Sequence, residues 1–181
     1  MLYRMYYSFA LLCLCLLHLP MGAAAQELPI RNFHAVDSIL YRSAQPKAGE
    51  FKALEQEGFT TVINLRRYWK DNRKVSKSNI QPIHVPVKTA RMSESDLVQI
   101  FKVIATARAK GKVLIHCWHG SDRTGTVVAL YRIIYHGWSK EDALNEMING
   151  GYGYHSYFDN LPQLIRSLDI EQFKRRVFDE K

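Results

Sequence analysis

The ten residues 116–125, HCWHGSDRTG, gather the side chains most suited to chemistry. Cys117 precedes Arg123 by six positions, Gly120 stands between them, and Thr124 and Gly125 follow. If residues 118–123 curl, their N–H groups turn inward and form a nest for an anion. A helix beginning near Thr124 adds its positive end. Arg123 adds a planar fork that matches two phosphate oxygens. Gly120 lets the backbone turn tightly, and Gly125 lets the helix lie close to its neighbour.

The same surroundings act on the thiol, because helix N-termini and nearby cations lower a cysteine's pKa from its usual value of about 8.5. A thiolate aimed at bound phosphorus attacks it, a phosphocysteine forms, and water releases it. Backbone dipoles and Arg123 hold the charge, so the scheme requires neither metal nor cofactor. Thr124 is placed to hydrogen-bond the sulfur, and His116 to brace the loop through its ring nitrogens. Trp118, His119, Gly120, Ser121 and Thr124 are the expected substrate-binding positions, His119 at the rim or turned to solvent. The competing interpretation is a buried structural cysteine with an unrelated arginine. The full pattern H-C-x-x-G-x-x-R-T-G, with a strand before and a helix after, sets it aside.

The flanking sequence predicts what must hold this loop. LYRS at 40–43 and TTVINL at 60–65 read as strands, the second β-branched, continuous and therefore buried. IHVPV at 83–87 is a third, with Pro86 placing it at an edge or a strand end. KVLIHC at 112–117 is the most apolar strand and leads into the loop. Pro46 opens a helix that Gly58 closes, with Phe51 and Leu54 on its apolar side. Ser93 with Asp96 caps a helix whose stripe is Leu97, Ile100, Phe101 and Ile104. Residues 124–137 form the next, ended by Gly137, and Ser139 with Asp142 caps another. The tail is helical around 161–166 and 170–178. Strands alternating with helices predict an α/β domain with a central, mainly parallel sheet flanked by helices. In such sheets ligands sit at the carboxyl ends of strands, where the loop falls.

The 181 residues, 47% apolar, suffice for one domain. MLYRMYYS, the apolar run FALLCLCLLHLPM and the small residues before Gln26 have the layout of a secretory signal over 1–25, leaving 26–181 as the domain of an exported, periplasmic or secreted protein. The apolar run is shorter than the roughly 20 residues of a spanning helix, so no stable membrane span is expected after cleavage. Cleavage removes Cys13 and Cys15 and leaves Cys117 alone, without an internal disulfide partner. The net charge of +8 is spread through groups such as Arg66, Arg67, Lys70, Arg73, Lys74 and Lys77. No basic stripe with interleaved aromatics points to nucleic acid, and phosphorylated substrates suit the charge better.

HCxxGxxRTG resembles the loop of cysteine phosphatases of the tyrosine and dual-specificity type. LYRSAQP at 40–46, VINLR at 62–66 and YRIIYHGWSKEDALNEMINGGYG at 131–153 extend the resemblance to bacterial exported dual-specificity-type phosphatases, over about residues 33–168. It implies their α/β fold, Cys117 as nucleophile, Arg123 as phosphate clamp, residues 118–122 as backbone cradle, and phosphotyrosine-type protein substrates. Phosphoinositides or inositol phosphates are the main alternative, and a non-catalytic phosphate binder is a third reading.

The leaving oxygen needs a proton. The resemblance implies an Asp from a loop roughly 30 residues before the cysteine, yet the matching position here is Ala90. Three answers stay open. Glu94 or Asp96 swings in, although acids in a helix's first turn are favoured by the dipole alone. No residue donates. Or the acid is Asp122, since C-x-x-G-x-D-R-T also resembles the loop of myotubularin-type phosphoinositide phosphatases, in which an Asp at this place is thought to donate. Asp122 pointing outward to a salt bridge with Arg66 or Arg67 is the structural alternative. Tyr152, Tyr154 and Tyr157 wall a phosphotyrosine slot or simply pack.

Overall fold

The computed structural model describes residues 28–179. The secretory signal expected over 1–25, with Cys13 and Cys15, lies outside them. Five strands form one sheet: β1 (His34–Ala35), β2 (Leu40–Ser43), β3 (Phe59–Asn64), β4 (Gln81–His84) and β5 (Lys112–His116). Their order is β1-β2-β5-β3-β4. Only β1 with β2 is antiparallel; the other pairings are parallel, as the alternation of strands and helices predicts. The two-residue β1 is too short to leave a period-2 signal; β4 is an edge strand, as Pro86 allows, but spans Gln81–His84 rather than 83–87, so that Pro86 lies just past its end.

The described residues form six helices: α1 (Glu50–Gln56), which opens at Glu50 rather than at Pro46, α2 (Glu94–Arg108), α3 (Asp122–His136), α4 (Lys140–Asn149), α5 (Asn160–Ser167) and α6 (Ile170–Phe178). Ser93 and Asp96 form a reciprocal capping box, Ser139 accepts from the Asp142 N–H, and Gly137 closes α3 in the left-handed region at φ 69°. One boundary differs in a way that matters: α3 begins at Asp122, two residues before Thr124. Asp122 and Arg123 are therefore fixed on a helical turn rather than on the loop.

Both faces of the sheet are covered, which is why its central strands lack alternation. Ile63, Val113 and Ile115 face α2 through α6 in the larger core, while Val62 and Leu114 face Phe51, Leu54, Val75 and Ile80 from α1 and the 66–80 segment. Each such aliphatic side chain contributes about 1.5–3 kcal/mol on burial. Asp37 ties the β1–β2 turn to α3: it accepts from Ile39 N (2.7 Å), Leu40 N (2.6 Å), Tyr131 Oη (2.6 Å) and His136 Nε2 (3.1 Å). Burial alone would raise the carboxyl's pKa, but these hydrogen bonds outweigh it and hold it at about 2. A depressed carboxylate stabilises above its ordinary pKa and loses that contribution as pH falls through the folded value. Asp37→Ala is therefore expected to lower urea stability by about 1–3 kcal/mol at pH 7, and the gap to the parent protein should close between pH 4 and 2. A gap constant across that range would show that the carboxylate charge is not what matters.

Candidate active site

The parallel registers bring the site together. Ser43, His116 and Asn64 stand side by side on β2, β5 and β3, so the residues after them emerge at one edge of the sheet. There Gln45, Cys117 and Arg66 meet, from segments far apart in the chain.

The loop's carbonyls face away from the cysteine. The Trp118 carbonyl accepts from Gln45 N (3.1 Å), the His119 carbonyl from Asn32 Nδ2 (3.0 Å), the Gly120 carbonyl from Arg42 Nη2 (2.7 Å) and the Ser121 carbonyl from Gly125 N (2.6 Å). With the oxygens tied outward, the N–H groups turn toward the thiol, and Gly120 N reaches Cys117 Sγ at 3.3 Å. Gly120 adopts φ +78°, and a Cβ there would stand 2.5 Å from the Ser43 carbonyl carbon, so only glycine fits. At Gly125 a Cβ would stand 3.3 Å from Met147 Cγ, the close helix contact expected for this position.

Arg123 Nη1 donates to the carbonyls of Leu65 (3.1 Å) and Val87 (3.4 Å), while its buried Nε has no partner. The guanidinium is thus oriented with donors left for an oxyanion. The hydroxyls of Ser121 and Thr124 are likewise buried without partners; Thr124 makes no bond to the sulfur in this state. Beneath the loop, the buried Arg42 lies 3.8 Å from the centroid of Tyr152. Burial draws its pKa down to about 10, partly opposed by Tyr152, Glu146 and Cys117, and it stays charged at neutral pH.

His116 Nδ1 lies 3.1 Å from the Cys117 carbonyl and Nε2 2.7 Å from Asp71 Oδ2. Asp71 is 1% exposed. Burial pushes its pKa up, but the hydrogen bond and charge of His116, the Gln45 amide and Lys74 hold it below the usual carboxylate range. The ring is thus held between the Cys117 carbonyl and the Asp71 carboxylate, directly behind the nucleophile. Gln45 passes the connection on, donating to Asp71 Oδ1 (3.0 Å) and accepting from Arg66 Nη1 (2.6 Å). Arg66 in turn lies 4.4 Å from the Trp118 ring centroid. Asp71→Asn is expected to slow alkylation of Cys117 by iodoacetate at pH 6 by about 10-fold, because the carboxylate that holds the His116 ring behind the nucleophile is lost. A fall in melting temperature with unchanged alkylation would mean that Asp71 is only structural.

Asp122, 7% exposed, bonds neither Arg66 nor Arg67. It accepts from His155 N (2.9 Å), and His155 Nδ1 lies 3.0 Å from both carboxylate oxygens. Glu94 pairs with Arg176, and Asp96 is held by Ser93 in the capping box. Ala90 sits exposed on the 3₁₀ turn Thr89–Arg91, just after the Val87 carbonyl that Arg123 grips. Tyr152 packs on Arg42, Tyr154 donates to the Phe158 carbonyl, and Tyr157 is exposed. His119, Asp122 and His155 offer ligand atoms within 4.8 Å of one another. The charges of Arg31 and Arg123, which with burial lower the His119 pKa, also oppose a cation there.

Residues 40–166 match the family model described as dual specificity phosphatase, catalytic domain. The chain belongs to the dual-specificity phosphatase catalytic-domain family. It is 30% identical over 143 residues to the dual specificity protein phosphatase TpbA of Pseudomonas aeruginosa, covering 79% of this chain and 65% of that protein. The inositol diphosphatase DSP5 of Arabidopsis thaliana is 28% identical over 133 residues, 66% of this chain and 61% of that protein. The chain thus spans less than two thirds of these relatives' length. Among solved structures, a cysteine-to-serine form of P. aeruginosa TpbA in complex with phosphotyrosine superposes with TM-score 0.74 at 27% identity, covering 82% of this chain and 91% of that one. In this dual-specificity phosphatase fold the sequence signals located the cysteine loop. Arg42, Gln45, Asp71 and His155 were not foreseen as site residues; the LYRSAQP stretch, which contains Arg42 and Gln45, was the available signal.

Proposed function

We propose that this chain is a cysteine-dependent phosphatase that hydrolyses phosphotyrosine and related phosphoprotein esters. The observation that carries the reading is the outward tethering of the 118–121 carbonyls, which leaves an N–H nest around Cys117 with Arg123 at its edge. The Cys117 thiolate attacks phosphorus; the S–P bond forms as the bond to the leaving oxygen breaks. Asp122, held by His155, delivers the proton that the leaving oxygen takes up. Water then attacks the phosphocysteine, gives its proton back to Asp122, and releases phosphate and thiolate. Nest dipoles and Arg123 carry the charge of both transition states. The likeness to a phosphatase whose structure holds phosphotyrosine supports this substrate class.

Inositol phosphates or phosphoinositides are a second reading, favoured by the Arabidopsis inositol diphosphatase relative and the acidic residue within the loop. Ala90 favours a third, a phosphate binder without turnover. Turnover of p-nitrophenyl phosphate that is blocked by vanadate and indifferent to chelator separates enzyme from binder. A panel of phosphotyrosine and phosphoserine peptides against inositol phosphates then selects the substrate. The leader pattern over 1–25 supports export, which N-terminal sequencing of the mature protein tests. Among the described residues no helix is long and apolar enough to cross a membrane.

A further inference from the structure

A groove of about 660 Å³ runs from Trp118 along the segment before α1, walled by Pro46 and carrying Arg31, Lys47, Lys74 and Glu50. Its volume falls within the roughly 300–1,000 Å³ of sites that accept several groups of a ligand. Trp118 is the residue after the nucleophile, half-exposed, and its carbonyl is tied to Gln45, itself part of the groove wall. The groove therefore continues directly from the phosphate nest.

Three cations face one carboxylate. Glu50 is already engaged, accepting from the Lys47 backbone N–H at 2.7 Å. Among the described residues neither Arg31 nor Lys47 has an acidic side chain within 4.0 Å. Lys74 lies 3.5 Å from Asp71, whose carboxylate is turned to His116 and Gln45. The lining is anion-seeking, yet four of its nine residues are Pro29, Pro46, Ala48 and Trp118, which suits the stems of amino-acid side chains better than a polyphosphate.

We infer that this groove is a second recognition site that holds acidic residues next to the phosphorylated residue of a peptide substrate, an inference that rests on the phosphatase reading above. Exposed charges at such a rim set partner choice and capture rate more than the chemical step.

The test uses two phosphotyrosine peptides that differ only in three Glu or three Lys beside the phosphotyrosine, with free phosphotyrosine as reference. The expected result is a kcat/KM about 10-fold higher for the acidic peptide, lost near 1 M salt, where the screening length is about 3 Å. Lys47→Glu, and separately Ala48→Glu, which adds a charge to the groove and removes no contact, should each shrink that preference about 3- to 10-fold. Turnover of free phosphotyrosine should stay unchanged. Equal rates for the two peptides, or variants that slow free phosphotyrosine as much as peptides, would overturn the inference. So would competition by inositol hexakisphosphate that Lys47→Glu relieves while the peptide preference stands. If no substrate turns over, the phosphatase reading has failed, and fluorescence anisotropy with the same labelled peptides still tests the groove. An acidic preference in binding that Lys47→Glu abolishes supports it, and indifference overturns it.

Discussion

Cys117→Ser is expected to reduce turnover of every phosphate ester by about 10⁴-fold or more while leaving the nest able to bind tungstate. Among the described residues, the side chain exchanged is the nucleophile at the centre of the nest, and a serine hydroxyl there ionises far less readily than a thiol. The rest of the site does not depend on sulfur. The carbonyls of Trp118, His119, Gly120 and Ser121 keep their anchors in Gln45, Asn32, Arg42 and Gly125, and Arg123 keeps its grip on Leu65 and Val87. The oxygen occupies less space than sulfur, so the buried position tolerates it. Calorimetric titration with tungstate reports the nest independently of chemistry. Residual turnover above about 1% of the parent, measured in single-turnover conditions, would sink the covalent mechanism. Loss of tungstate binding as well would mean that the thiolate organises the loop.

Asp122→Asn separates acid catalysis from architecture. A proton donor matters most when the leaving oxygen is a poor leaving group. Nitrophenolate departs almost unaided near neutral pH; an alkoxide does not. The variant is therefore expected to slow p-nitrophenyl phosphate hydrolysis only modestly, and alkyl or inositol phosphate hydrolysis by roughly 10²–10⁴-fold. Asparagine keeps an oxygen to accept from the His155 backbone N–H, so the contact between the loop and the 150–159 segment survives. Tungstate affinity should hold or improve, since a negative charge leaves the neighbourhood of the nest. Glu94→Gln and Asp96→Asn should change little, as Glu94 pairs with Arg176 and Asp96 caps α2. An Asp122→Asn slowdown equal for good and poor leaving groups would make Asp122 a tether for His155, and the search for a donor would move to residues near Ala90.

Local chemistry was readable wherever partners lie within a few residues. The Ser93–Asp96 and Ser139–Asp142 caps and the Gly137 stop all rest on contacts spanning a single turn. The start of α3 was not, because Asp122 is drawn into the helix by the Ser121–Gly125 bond at its base rather than by a cap side chain. The partner of Asp122 was also out of reach. Arg66 and Arg67 are the partners that the sequence suggests for an outward-pointing Asp122, yet His155, arriving 33 positions later behind α4, takes both carboxylate oxygens.

The sequence by itself determined the α/β architecture, the cysteine nucleophile candidate and the arginine beside it. Hydrophobic period, caps and the spacing from Cys117 to Arg123 are properties of one continuous stretch at a time. Tertiary structure decided what surrounds the sulfur: the Asp71–His116 pair behind it, Gln45 linking that pair to Arg66, and Arg42 beneath the loop. Those side chains meet because parallel strands in register deliver their carboxyl ends to one edge, and parallel neighbours are separated by long crossovers. No spacing rule along the chain encodes which residue a crossover returns to a given rung. That choice is made when the two cores pack and fix the register of β2, β5 and β3.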